Sequence, residues 1–327
     1  MEATIRSVGS YVPVRRMSND ELAQIVDTSD EWIYSHTGIK SRHIAAEEQA
    51  ASDLAVQACT QALELGGMSP DQIDFILLAT STPDFPGLPS TACIVQDRLG
   101  CANAAAMDVV AACTGFIYAL ETARAFVRSG TAKNVLVVGS EVYSKILNWK
   151  DRNTCVLFGD GAGAAVVTGV QDGGNHIIDS YLRSHGAGAE SLYRCAGGSR
   201  NKLEPAKTDP KDLYLSMDGR RVYVFAVQAI IDTIRVLLDR NHLTFDDVDW
   251  VVPHQANVRI LEAACKRAGW PQEKFFVNIA EYANTSAASI PMALREMEQK
   301  ELLRRGQLIL TVGFGSGLTY GGNLLRW

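Results

Sequence analysis

Short apolar runs alternate with amphipathic segments along this chain. From Ser52 to Leu65, the positions Leu54, Ala55, Ala58, Ala62 and Leu65 recur at helical spacing, which predicts a helix with one buried face. Phe75 to Ala79 is continuous, apolar and too short for a helix, so it reads as a strand covered on both faces. The same reasoning predicts a helix from Thr114 to Val127 and a buried strand from Val135 to Val138. A long helix is expected from Val222 to Leu238 and another from Val258 to Ala268. Strands alternating with helices build α/β layers around a central sheet.

The pattern repeats once. Asp71-Gln-Ile-Asp-Phe-Ile-Leu-Leu-Ala-Thr80 reads like Asp246-Asp-Val-Asp-Trp-Val-Val-Pro-His-Gln255, 175 positions later. The same offset carries Cys113 to Ala288, inside Asn284-Thr-Ser-Ala-Ala-Ser-Ile-Pro291, and both places are small-residue stretches that open a helix. Val135-Leu-Val-Val-Gly139 and Leu308-Ile-Leu-Thr-Val-Gly313 correspond with a shift of about one residue. Three matches in one order imply a duplicated unit. The polar, turn-forming Gln171-Asp-Gly-Gly-Asn175 is the expected boundary, giving halves of residues 1–172 and 173–327. Two such halves side by side make five layers, α-β-α-β-α, with helices outside and in the middle.

Composition narrows the class of protein. With 327 residues, 47% hydrophobic and 21% charged, the chain is ordinary globular material and long enough for two packed halves. A net charge of −6 argues against nucleic acid as the main partner, since phosphate binding needs a basic field. The seven cysteines show no C-x-x-C spacing, so neither a structural zinc site nor any other metal site is expected. They read as reduced, mostly buried thiols. Met1 to Arg15 lacks the pattern of a signal peptide, and no apolar run approaches a membrane span. A soluble, cytoplasmic protein with no membrane partner is expected.

Cys113 lies in Asp108-Val-Val-Ala-Ala-Cys-Thr-Gly-Phe116, where an apolar strand meets a small-residue turn and a helix begins. A thiol at a helix start meets the positive end of the backbone dipoles, so its pKa is expected to fall. The competing reading is a packed core cysteine, which the other six retain. His254 ends the apolar run Trp250-Val-Val-Pro253, where α/β sheets place ligand-binding groups, or it is a satisfied structural histidine. Asn284 stands in the half-two counterpart of the Cys113 turn, as a reactive-site amide or a plain turn residue. Gly313-Phe-Gly-Ser-Gly317 lacks the lysine of a P-loop and lies too near the C-terminus for a dinucleotide fold. Its backbone N–H groups can instead face a developing oxyanion. Gly159-Asp-Gly-Ala-Gly163 reads as a tight turn with close packing.

These segments resemble the β-ketoacyl-acyl carrier protein synthase III family. Ala111-Ala-Cys-Thr-Gly-Phe116, Pro253-His-Gln-Ala-Asn257, Asn284-Thr-Ser-Ala-Ala-Ser289 and Gly313-Phe-Gly-Ser-Gly317 look like its four signatures in order. So do Thr28-Ser-Asp-Glu-Trp-Ile33, Thr37-Gly-Ile39 with Arg42-His-Ile44, and Phe158-Gly-Asp-Gly-Ala-Gly163. The similarity runs from about Thr4 to Trp327. It implies a duplicated thiolase-like fold with two mixed sheets. It also implies a Cys-His-Asn set of Cys113, His254 and Asn284. In that family the cysteine takes an acyl group from acyl-CoA, and no cofactor is bound permanently. Malonyl-acyl carrier protein then loses carbon dioxide while histidine and asparagine hold its thioester carbonyl, and the carbanion attacks the acyl-cysteine.

The resemblance further implies an oxyanion hole from the backbone N–H groups of Cys113 and Ser316, the latter standing where many members have glycine. Trp32 and Arg152 are expected to sandwich the CoA adenine, with His36 in place of a family arginine. Asn257 matches a contact to the pantetheine arm. Arg259, Lys266 and Arg267 are expected to receive the carrier protein. Leu88, in Phe85-Pro-Gly-Leu-Pro89, matches the loop that enters the partner's acyl pocket in family homodimers, and Phe314 is expected at the acyl gate. Two other readings compete. One is a synthase III-like acyltransferase of secondary metabolism with another acceptor, which the intact Asn284 segment disfavours. The other is a non-catalytic protein on the same fold, which should not need the thiol and imidazole. A hydroxymethylglutaryl-CoA synthase would want a carboxylate near the thiol, and the sequence shows none in a matching motif. A biosynthetic thiolase would want a second cysteine between Gly313 and Gly322, which is absent.

Overall fold

The computed structural model describes residues 1–171, 174–204 and 206–327. The expected boundary between residues 172 and 173 lies outside the described residues. The elements that position the site are strands β1 (Glu2–Tyr11), β2 (Phe75–Ala79), β3 (Ala105–Val109), β4 (Asn134–Glu141), β5 (Gly161–Val170), β6 (Ile177–Ser184), β7 (Trp250–Pro253), β8 (Leu308–Gly315) and β9 (Thr319–Arg326). The helices are α1 (Asp30–Thr37), α2 (Ala51–Gly66), α3 (Thr91–Leu99), α4 (Gly115–Ser129), α5 (Gly219–Arg240), α6 (Val258–Ala268) and α7 (Ser289–Gln299).

The sheet order exposes the duplication. One sheet runs β1-β5-β4-β2-β3 and the other β6-β9-β8-β7. In both, a first strand lies parallel to the next: β2 to β4, with Phe75 opposite Val135, and β7 to β8, with Trp250 opposite Ile309. Antiparallel strands follow, β5 then β1 in one half and β9 then β6 in the other. Strand β3 extends the first sheet in parallel beside β2. Its counterpart in the second half is reduced to a single parallel bridge between Val251 and Phe275.

Three hydrophobic cores define the layers. Residues of α2 and α3 cover the outer face of the first sheet through Leu54, Ala58, Val95, Ile76 and Val138. The central core joins both sheets through α4 and α7, with Phe116, Ile117, Ile290 and Leu294 packed against Leu77, Val137, Val252 and Ile309. Ile230, Ile234 and Leu237 of α5, with Leu261 of α6, cover the outer face of the second sheet. The order is therefore α-β-α-β-α with two mixed sheets, as expected. The predicted strand at Phe75 and helix at Val258 hold to the residue. Within α2, Leu54, Ala55, Ala58 and Ala62 are buried, but Leu65 is 51% exposed and Leu63 takes the core position instead. The buried stripe stays closer to a period of four than the sequence reading assumed.

The two helix-opening turns correspond one residue away from the expected offset. Ala112–Thr114 and Ser286–Ala288 are both single 3-10 turns leading directly into α4 and α7. Each begins on a non-glycine residue in the left-handed region, Ala112 at φ 47 and Ser286 at φ 50. Cys113 therefore matches Ala287, not Ala288. Gly139 of β4 lets the second turn approach: a Cβ there would lie 2.2 Å from the Ala287 carbonyl oxygen. Gly139→Ala is expected to destabilise the fold by about 3 kcal/mol, because the obstacle is backbone that cannot swing aside. The midpoint of urea unfolding measures this.

Candidate active site

Cys113 sits on the turn before α4, with 4% of its surface exposed. The sequence predicts a depressed thiol pKa; the structure reverses the direction. Burial pushes the thiol up to about 12, with a neighbouring Ser286 hydroxyl pulling the other way and the Glu141 carboxylate pushing further up. The helix start does not outweigh this desolvation. At rest Cys113 is a neutral thiol. The sequence also showed no carboxylate motif near it; tertiary packing brings Glu141 there from the end of β4.

His254 follows β7 and is 1% exposed. Burial drives its imidazole down to about 3, so it is neutral at ordinary pH. Nδ1 meets Ser289 Oγ at 2.7 Å, and Nε2 is buried with no protein partner. The Phe314 ring stands edge-on to the imidazole, 5.6 Å between centroids. Because the folded pKa lies below the ordinary 6.5, the neutral ring stabilises the fold fully above pH 6.5, and this is lost as pH falls toward 3. Wild-type protein should therefore lose stability more steeply than His254→Gln between pH 6.5 and about 3, read from unfolding midpoints at each pH.

Asn284 is 6% exposed. Its backbone is clamped on both sides: its N–H donates to Leu157 O at 2.9 Å, and its carbonyl accepts from Gly159 N at 3.0 Å. Its Oδ1 accepts from Ser286 N at 2.8 Å, which leaves Nδ2 as the donor arm. The glycine-rich Phe158–Gly163 segment thus has a defined role. A Cβ on Gly159 would lie 2.7 Å from Tyr282 O, and one on Gly163 would lie 2.7 Å from Pro291. Close approach there holds the asparagine and seats α7.

Cys113, His254, Asn284, Phe314 and Gly315 line one cavity of about 140 Å³. Leu157, Leu192, Met217, Val222, Tyr223 and Ile260 supply most of its apolar wall. Asn257 also lines it, and its Oδ1 caps α6 by accepting from Arg259 N at 2.8 Å. Gly315 lies against Cys113: a Cβ there would be 2.8 Å from Cys113 N. Ser316 follows on a neighbouring cavity that also holds Ala111 and Ala112, and its hydroxyl donates to Leu192 O. Gly315→Ala is expected to cut acyl transfer by on the order of 100-fold, since a methyl would crowd the Cys113 amide, one of the two expected to face a developing oxyanion. The rate of acyl-enzyme formation checks it.

The remaining expected contacts lie outside this cavity. Trp32 on α1 is stacked by His36, with centroids 4.4 Å apart, and the Arg152 guanidinium lies 4.7 Å from its ring. Arg152 also donates to Asp27 O at 3.0 Å. An adenine entering between Trp32 and Arg152 must part an existing pair. Helix α1 is tied to α6, whose start lines the cavity, by Arg259 Nε donating to Ser35 O at 2.8 Å. Arg259 also pairs with Glu262 at 2.7 Å, so part of its charge is already answered. Lys266 and Arg267 are exposed on the same helix. Leu88 is 88% exposed and contributes nothing to the cavity of its own chain.

Sequence reasoning missed the supports behind Cys113, His254 and Asn284. Glu141, Ser286 and Ser289 are buried and polar. Glu141 shows only as a carboxylate closing the apolar run Val135 to Gly139, and Ser286 and Ser289 only as members of the small-residue stretch after Asn284, with no role assigned. In the apolar wall, Leu192 and Met217 left no signal, because the three-residue strands that hold them are too short to show a period, whereas Val222 lies on the helix that the sequence predicts.

Comparisons with known proteins identify the family. The family model for 3-oxoacyl-[acyl-carrier-protein] synthase III matches residues 107–186, and that for its C-terminal part matches residues 238–327. A β-ketoacyl-[acyl-carrier-protein] synthase III from Caldanaerobacter subterraneus is 50% identical over 99% of this chain and 98% of its own. One from Clostridium acetobutylicum is 48% identical over the same shares. The crystal structure of 3-oxoacyl-[acyl-carrier-protein] synthase III from Aquifex aeolicus superposes with a TM-score of 0.90 at 44% identity, covering 99% of this chain and 100% of that one. With Cys113, His254 and Asn284 converging on one cavity of a duplicated thiolase fold, the chain belongs to the β-ketoacyl-[acyl-carrier-protein] synthase III family of condensing acyltransferases.

Proposed function

We propose that this protein joins a short acyl group from acyl-CoA to malonyl-acyl carrier protein with loss of carbon dioxide, the initiating step of fatty acid synthesis. The carrying observation is the shared cavity, which brings a buried thiol, a neutral imidazole and an oriented amide donor together. In the first half-reaction the Cys113 sulfur attacks the thioester carbonyl, its proton leaves by way of His254 Nε2, and CoA departs as the thiol. The amides of Cys113 and Ser316 hold the oxyanion. In the second, His254 and Asn284 Nδ2 donate to the malonyl thioester carbonyl, so carbon dioxide leaves a stabilised enolate that attacks the acyl-cysteine. The two half-reactions ask opposite things of Nε2. Ser289 Oγ serves both: donating to Ser286 O at 2.9 Å it receives Nδ1–H, and turned toward Nδ1 it leaves the proton on Nε2.

Acyl-CoA is a substrate here, and no resident cofactor is needed. Trp32, Arg152 and His36 receive the adenine and Asn257 the pantetheine arm. Arg259, Lys266 and Arg267 receive the acidic carrier protein, and Phe314 with a partner's Leu88 bounds the acyl group. The halves 1–172 and 173–327 act as one duplicated unit, in a cytoplasmic homodimer. Edge strand β3 supports the dimer, because Met107 is 37%, Val110 83% and Leu88 88% exposed along that side. Light scattering should return twice the chain mass. A panel of acyl-CoA primers with malonyl-carrier protein, read by carbon dioxide release and 3-oxoacyl product, tests the activity. Formation of acyl-enzyme that only a hydroxyl or amine acceptor consumes would give the reaction to secondary metabolism instead.

A further inference from the structure

Glu141 ends β4 fully buried, and its hydrogen-bond partners are hydroxyls and an amide. Oε2 accepts from Thr82 Oγ1 at 2.7 Å, Ser81 N at 3.0 Å and Thr80 Oγ1 at 3.3 Å. The Thr82 hydroxyl itself accepts from Val142 N at 2.9 Å, so its own proton is committed to the carboxylate. Oε1 accepts from Ser286 Oγ at 2.9 Å. The titratable groups beside Glu141 are the Cys113 thiol and the Tyr143 phenol.

Ser286 spends each polar group on a different branch. Its N–H holds Asn284 Oδ1 at 2.8 Å, and its carbonyl accepts from Ser289 Oγ at 2.9 Å, whose oxygen meets His254 Nδ1 at 2.7 Å. Its hydroxyl goes to Glu141. At φ 50 its backbone occupies a region disfavoured for residues with side chains, so the conformation needs an anchor. We propose that Glu141 is a positioning residue of the condensing site, anchoring Ser286 by its hydroxyl so that one residue orients both the Asn284 amide and the His254 ring.

The inference rests on the function proposed above, but its geometry makes a claim that needs no substrate. An ionised carboxylate only accepts, so it draws the Ser286 proton away from Cys113. A carboxamide has one acceptor oxygen; facing Ser81 and Thr82 with it turns an NH2 toward Ser286, whose hydroxyl must then reverse. Glu141→Gln thus removes a negative charge beside the thiol and weakens the hold on Ser286. Burial raises the carboxyl of Glu141 to about 7, so the anchoring anion forms as pH rises through neutrality.

The test uses the full-length protein with Glu141→Gln, Ser286→Ala and the double variant. Decarboxylation of malonyl-carrier protein is expected to fall about tenfold in each single variant and no further in the double, because both cut the same link. Acetyl transfer to Cys113 should fall less than decarboxylation. The wild-type decarboxylation rate should rise through pH 7, and Glu141→Gln should abolish that limb. Alkylation of Cys113 by iodoacetamide should titrate about one unit lower in Glu141→Gln than in wild type. Multiplying effects in the double variant, a persisting pH limb, an unmoved thiol titration, or equal loss of both half-reactions with a lowered unfolding midpoint would each overturn the proposal. If wild type takes no acyl group, the function reading fails, and the alkylation shift alone then decides the role of Glu141.

Discussion

Cys113→Ala should lose all covalent acylation when mixed with acetyl-CoA, whereas wild type gains the mass of one acetyl group, located on Cys113 by peptide mapping. Overall condensation should fall by on the order of 10⁴-fold or more, because no other thiol lines the cavity. The size of the effect follows from the surroundings. Among the cysteines, only Cys113 lines the cavity with His254 and Asn284. Cys59 is fully buried in the outer core of the first half, and its thiol is raised well above the usual range by burial. Cys93 is exposed, but it lies on α3, away from the imidazole. Labelling that persists in Cys113→Ala, or wild type that no short acyl-CoA labels, would end the reading of Cys113 as nucleophile. Since burial holds the thiol near 12, acylation must couple deprotonation to attack. Its rate should therefore keep rising through pH 8 instead of reaching a plateau set by a low thiol pKa.

Asn284→Ala should split the reaction the other way. Acyl-enzyme should still form, while decarboxylation of malonyl-carrier protein falls by about 10²–10³-fold, the usual loss when one pre-aimed oxyanion donor is removed. Asn284 suits this role because its Oδ1 is fixed by the Ser286 amide, so the NH2 needs no reorganisation as charge develops. His254→Ala should lose decarboxylation to a similar degree and also slow acyl transfer, since Nε2 is the free proton acceptor in the wall. Carbon dioxide release and intact-protein mass, measured on the same samples, separate the half-reactions. Equal loss of both in Asn284→Ala would mean that the amide supports the fold and not the enolate.

The local sequence carried more of this protein than its individual contacts. Regular periodicity reports burial, so the strand at Phe75, the helices at Ser52 and Val258 and the internal repeat were all legible. The repeat in turn placed Cys113 and Asn284 in matching turns, and the sheets show why: both halves present the same parallel-then-antiparallel order. The register of the match was off by one because small residues at Ala287 and Ala288 are interchangeable in a pattern, whereas positive φ at Ala112 and Ser286 is not.

Energetic environment was not legible. A thiol at a helix start reads as activated; only the packed site reveals that desolvation and Glu141 push it upward. His36 read as a missing arginine, yet in space it stacks on Trp32. Glu141, Ser286 and Ser289 come together from segments up to 148 residues apart. The sequence by itself determined the layered duplicated architecture, because periodicity is a local property, and its resemblance to a known family singled out Cys113, His254 and Asn284 as candidates. The tertiary structure alone decided their protonation, orientation and support, because desolvation and hydrogen bonding depend on neighbours that the chain order does not bring together.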